Sequence, residues 1–177
     1  MNSLRHNLHR MLTSALGALI FPMSLTAFAQ NGNSDGEWPS YGSDSGSTKY
    51  TSLSQIDENN FTDLEVAWRW QSIDGELDFK ALLGPDAEVG FGRLQATPLM
   101  IDDVLYLLTA LNQVVALDAV SGEELWRYDP EVYMSGVSNS PLGFHHRGVA
   151  WWSDSDESRV LMTTNDGFII SLNAQTG

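Results

Sequence analysis

Leu94-Gln95-Ala96-Thr97-Pro98-Leu99-Met100-Ile101, Val104-Leu105-Tyr106-Leu107-Leu108-Thr109, Gln113-Val114-Val115-Ala116-Leu117-Asp118 and Glu124-Leu125-Trp126-Arg127-Tyr128-Asp129 are four short apolar runs in succession. Each is rich in aliphatic, β-branched or aromatic residues. Asp102-Asp103, Leu111-Asn112 and Ser121-Gly122 separate them. Short apolar runs punctuated by Asp, Asn, Ser and Gly predict strands joined by tight turns. Four antiparallel strands in so short a stretch make one β-meander, the size of a propeller blade. Such a unit cannot bury both faces alone, so it predicts neighbours.

The unit recurs. Val115 to Gly122 aligns with Ile170 to Gly177 at an offset of 55, and Val104-Leu105-Tyr106 with Val160-Leu161-Met162 at an offset of 56. The one-residue slip is assigned to the intervening turn, where loops tolerate it. Leu64 to Trp70 echoes Glu124 to Tyr128 and predicts a strand in which Trp68 is equivalent to Trp126. An aromatic at a fixed place in each repeat suggests packing of blade on blade. In the second copy, residues 147–152, 159–164 and 168–173 predict three strands, and Asn165-Asp166-Gly167 a hairpin turn. Trp38 to Gly42 alternates aromatic residues with turn formers, as in a segment that packs over another surface. Residues 71–93 and 130–146 are long and aperiodic. Loops of that length are often functional, so residues 71–93 either cover the mouth of a site or decorate a rim.

The first 29 residues differ from the rest. Arg5, His6, His9 and Arg10 precede a broken apolar run, and Ala27-Phe28-Ala29 ends it. This predicts a secretory signal peptide (residues 1–29) cleaved after Ala29. Residues 30–177 hold all 23 acids and seven of the nine basic residues, a net charge of −16. That charge argues against nucleic acid and against anionic membrane surfaces as partners. No cysteine is present, which rules out disulfides, thiolate metal sites and thiol catalysis.

Trp38-Pro39-Ser40-Tyr41-Gly42, Leu53-Ser54-Gln55-Ile56, Val66-Ala67-Trp68, Gln95-Ala96-Thr97-Pro98-Leu99, the string from Ala116 to Trp126, and Arg147-Gly148-Val149-Ala150-Trp151 together resemble the pyrroloquinoline-quinone (PQQ)-dependent dehydrogenases, of the glucose and polyol type. The resemblance implies an all-β fold. It makes residues 30–177 about two blades, plus an N-terminal strand, of an eight-bladed propeller whose remainder lies beyond this chain. It also implies a periplasmic location, possible association with the inner membrane, PQQ and Ca2+ as cofactors, and oxidation of a small alcohol, polyol or aldose. Electrons would pass to ubiquinone or a cytochrome.

By the same resemblance Arg147 hydrogen-bonds the acidic groups of the quinone, a role that suits a guanidinium's paired donors. Gln95 stands where the family often carries a cofactor-contacting glutamate; it keeps reach and polarity but not charge. The alcohol-oxidising branch has adjacent cysteines before the arginine. This chain has Ser140-Pro141-Leu142-Gly143-Phe144-His145-His146 there, closer to the sugar and polyol branch, with His145 and His146 as candidates on the substrate side. Neighbouring extended residues face opposite ways, which weakens a metal reading of the two histidines. The catalytic base and the calcium ligands are expected outside these residues. Non-enzymatic propellers of outer-membrane assembly share such repeats and form the alternative reading.

Overall fold

The structure is a computed structural model that describes residues 36–90, 94–136, 138 and 140–177. The signal-peptide reading of residues 1–29 therefore lies outside the described residues. The first sheet contains β1 (Leu99–Ile101), β2 (Val104–Leu108), β3 (Val114–Asp118) and β4 (Glu124–Tyr128), antiparallel and in that order. The second contains β5 (Ala150–Ser153), β6 (Ser158–Thr163) and β7 (Ile169–Asn173), again as a meander. Local chemistry sets the turns. Asp102 and Asp103 both take positive φ, 50° and 61°, which a two-residue hairpin with the strands' own twist requires.

The β2–β3 and β6–β7 turns are the same device. Thr109 N donates to Gln113 O and Thr164 N to Phe168 O, at 2.8 and 2.9 Å. Each threonine hydroxyl also accepts from the closing residue's N–H. Asn112 and Gly167 take the left-handed position, with φ of 70° and 98°.

Register corrects one feature of the sequence reading. Val104 lies opposite Asp118, and Arg159 opposite Asn173. Both strand pairs therefore superpose at a single offset of 55, and Val104 corresponds to Arg159 rather than Val160. The length difference falls earlier, where the two-residue β1–β2 turn is matched by residues 154–157 between β5 and β6.

Side chains alternate across each sheet, as the pleat dictates. Leu107, Val115 and Leu117 lie on one face of the first sheet beneath Trp68 and Trp70. Leu99, Ile101, Tyr106, Leu108, Val114 and Ala116 lie on the other and pack on Val160, Met162, Leu172 and Ala174 of the second sheet.

The two tryptophans do identical work. Trp68 Nε1 donates to Ala119 O and Trp126 Nε1 to Ala174 O, at 3.0 and 2.9 Å. Their rings lie so close over Gly122 and Gly177 that an added Cβ would stand 2.5 and 2.8 Å from ring carbons. The predicted equivalence of Trp68 and Trp126 thus holds.

Residues 64–70, predicted as a strand whose partners lie outside these residues, form no ladder with the described residues. β1 is also shorter than residues 94–101, since its first residues leave the sheet toward β5. Trp38 bridges Met100 on the free edge of β1, with paired backbone bonds of 2.8 and 3.1 Å.

Candidate functional site

Strand direction sorts the loops. The turns at 102–103, 119–123 and 154–157 lie at one end of the sheets. Residues 94–98, the turns at 109–113 and 164–168, and the connection running into β5 lie at the other. Gln95, His145, His146 and Arg147 all belong to the second end.

The backbone ties Arg147 to Thr97, two residues after Gln95. Thr97 N donates to Arg147 O at 3.0 Å, which lays the segments leading into β1 and β5 side by side. Gly148 makes this approach possible: its φ is 143°, and a Cβ there would stand 3.1 Å from Thr97 O. Both Gln95 and Arg147 are exposed. Arg127 and Arg159 are held by Glu124 and Glu157 at 2.5 and 2.6 Å. The Arg147 guanidinium has no carboxylate or hydrogen-bond partner among the described residues. A fixed backbone with an uncompensated guanidinium is suited to an anionic ligand.

The two histidines differ. His145 Nδ1 lies 3.1 Å from Gly143 O, a contact in which Nδ1 donates to the carbonyl. His146 is half-buried, and its Nε2 is buried without a hydrogen-bond partner among the described residues. Burial holds its imidazole below the usual value. The Asn165 side chain opposes this, and neighbouring His145 adds to it. Burial thus favours the neutral form of His146. No group of three or more metal-ligating side chains occurs among the described residues.

Sequence reasoning missed the anchors beneath this end. Asp74, from the aperiodic loop, is buried; its carboxylate accepts from Thr109 Oγ1 at 2.9 Å and Leu111 N at 3.2 Å. Both long loops then close over the β2–β3 turn. Leu77, Phe79 and Val89 pack on Leu111, Val132, Tyr133 and Phe144, and Phe144 N donates to Gly90 O. Asp129 accepts from Gln113 Nε2 and from the Tyr133 hydroxyl, at 3.1 and 2.9 Å. Burial first, then Asp129, pushes the Tyr133 phenol up to about 12. The described part of loop 71–93 therefore packs at the end that carries the candidate residues. An acid in an aperiodic loop carries no signal that would have marked Asp74 beforehand.

Residues 38–177 match the family described as glucose/ethanol/alcohol dehydrogenase, β-propeller domain (PQQ). The chain belongs to this family. It is 36% identical over 166 residues to quinohemoprotein alcohol dehydrogenase ADH IIB of Pseudomonas putida, covering 94% of this chain and 21% of that protein. It is 29% identical over 182 residues to quinoprotein glucose dehydrogenase A of Acinetobacter calcoaceticus, covering 91% of this chain and 21% of that one. Among solved structures, quinohemoprotein alcohol dehydrogenase from Comamonas testosteroni superposes with a TM-score of 0.62 at 30% identity, over 80% of this chain and 18% of that one. The chain spans about a fifth of the length of these relatives. Its two antiparallel sheets are part of the quinoprotein propeller, as the sequence predicted.

Proposed function

We propose that this chain is the N-terminal part of an exported PQQ-dependent dehydrogenase that oxidises a CH–OH group of an alcohol, polyol or aldose and passes electrons to ubiquinone or a cytochrome. One observation carries the reading: an exposed arginine without a counter-charge among the described residues, fixed by Thr97 and Gly148 beside the segment leading into β1, inside a region that matches quinoprotein dehydrogenases. The donor set fits the cofactor's chemistry. Arg147 offers paired N–H groups to carboxylate oxygens, and Gln95 an amide that both donates and accepts. When bound, the quinone supplies the hydride-accepting chemistry. Burial favours the neutral form of the His146 imidazole beside these donors.

The same proposal places Ca2+ and the catalytic base on residues other than those described, and export under the signal at residues 1–29. Relatives named for alcohol and for glucose both match, so the substrate class stays broad. Dye-linked turnover by the full-length protein, reconstituted with PQQ and Ca2+, tests the reading against a primary alcohol, glycerol and glucose. Quinone-dependent turnover with at least one is expected. Neither turnover nor quinone binding would refute it. N-terminal sequencing of the exported protein should begin at Gln30.

A further inference from the structure

Asn165 stands at the centre of the candidate end without belonging to the repeat. At the offset of 55 its counterpart is Ala110, and the counterpart of Asn112 is Gly167. Thr109 and Thr164 close both turns without either asparagine amide, and within its own turn Asn112 takes the left-handed φ and reaches Ala110 O at 3.3 Å. Yet the two asparagines clasp the turns together. Asn165 N donates to Asn112 Oδ1 at 2.8 Å, and Asn112 Nδ2 reaches Asn165 Oδ1 at 3.4 Å. Asn112 is fully buried. The Asn165 amide then turns to the connection running into β5, donating to Ser138 Oγ at 2.8 Å and reaching Gly143 O at 3.4 Å. The same side chain acts on the His146 imidazole, opposing the effect of its burial. Gly143 O is also the acceptor facing His145 Nδ1.

We infer that Asn165 is a positioning residue: through Asn112, Ser138 and Gly143 it locks the connection that ends in His146 and Arg147 onto the two hairpin turns, and so sets where the Arg147 guanidinium stands. Two tethers then act on Arg147, the Thr97 bond on its own backbone and the Asn165 clasp on the residues before it. The link to cofactor binding rests on the proposed function; the clasp does not.

Amide hydrogen exchange on the full chain separates the two. Asn165→Ala removes the whole side chain. Asn165→Asp keeps its shape and the backbone bond to Asn112 but replaces the donor with a carboxylate facing Gly143 O. Both should raise exchange across residues 140–147 by roughly tenfold, as expected when a local opening loses a hydrogen bond's worth of protection. β2, β3 and β6 should exchange as in wild type.

Ser138 Oγ also accepts from Ser140 N at 3.1 Å, so this variant is read at residues 142–147: Ser138→Ala should give a smaller rise there, and the double variant with Asn165→Ala no more than Asn165→Ala alone. Unchanged exchange at 140–147, or an equal rise throughout both sheets, would overturn the inference and make Asn165 an ordinary stability residue. If an Asn165 variant fails to fold, Ser138→Ala decides by the same local readout. Quinone affinity, read by fluorescence quenching in the full-length protein, should weaken several-fold in Asn165→Asp. Arg147→Ala binding quinone like wild type would remove the proposed function while leaving the exchange result standing.

Discussion

Val114 and Ile169 open β3 and β7, the same place in successive copies of one repeat, yet Val114 is 0% exposed and Ile169 80%. Leu108, fully buried, corresponds to the exposed Thr163. The first sheet has Trp68 and Trp70 on one face and the second sheet on the other. The second sheet meets the first on one face. Its other face presents Ile169, with Phe168 and Trp152 also exposed. The strands, turns and register of the copies agree, so burial here follows from what lies alongside. That is the behaviour of a repeat whose faces are made to be covered by neighbours, where interface terms supply much of the stability.

Breaking the joint between the sheets should have the largest effect. Trp126→Ala removes the ring over Gly177 and its bond to Ala174, and should cost about 3 kcal/mol, the low end for a tryptophan because this one is half-buried. Urea denaturation of the full chain measures it. Gly122→Ala attacks the equivalent joint on the other face. It places a methyl 2.5 Å from the Trp68 ring at a φ of 74° and should cost about 2 kcal/mol by overpacking and left-handed strain.

The matched pair sharpens the comparison. Val114→Ala should cost about 1.5 kcal/mol, and Ile169→Ala under about 0.5 kcal/mol, because only the first loses buried methyls. Equal costs would mean that the outer face of β7 is covered in solution, by a second copy or by residues other than those described.

The smallest effect is on pH dependence. Burial depresses the folded-state pKa of His146. The unfolded chain therefore binds the proton more readily. Its contribution is complete above the ordinary histidine value of about 6.5 and is lost as pH falls below it. His146→Gln should flatten the acid limb of a stability-against-pH curve, leaving the region above neutrality unchanged.

Much of the fold was legible because its determinants are local. Asp102-Asp103 and Asn165-Asp166-Gly167 announce turns, and β2, β3, β4, β6 and β7 lie within a residue or so of their apolar runs. The 56-residue alignment failed for a physical reason: in strands buried on both faces the apolar run is continuous, so sequence similarity does not fix which residues face which way, and a slip of one inverts every side chain.

Residues 64–70 show no ladder because pairing depends on a partner that the described residues do not contain. At the site, the string around Arg147 was readable through its resemblance, and the structure adds the reason for its glycine, the close pass of Thr97. Asn165 read only as a turn residue, and Asp74 as nothing. Their roles come from contacts made across 22 to 53 residues of sequence, which no local pattern records.

The account turns on Arg147 as an anion-receiving group at the end where both sheets begin. Equilibrium titration of PQQ into the full-length apoprotein, comparing Arg147→Ala with Arg159→Ala, tests it most directly. Arg159 is the control, since Glu157 already pairs with it at 2.6 Å. Losing a charged hydrogen-bonding partner should weaken binding by roughly 1.5–3 kcal/mol, or about ten- to a hundredfold, in Arg147→Ala, with Arg159→Ala unchanged. Equal affinity in wild type and Arg147→Ala, or the same loss in both variants, would contradict the account.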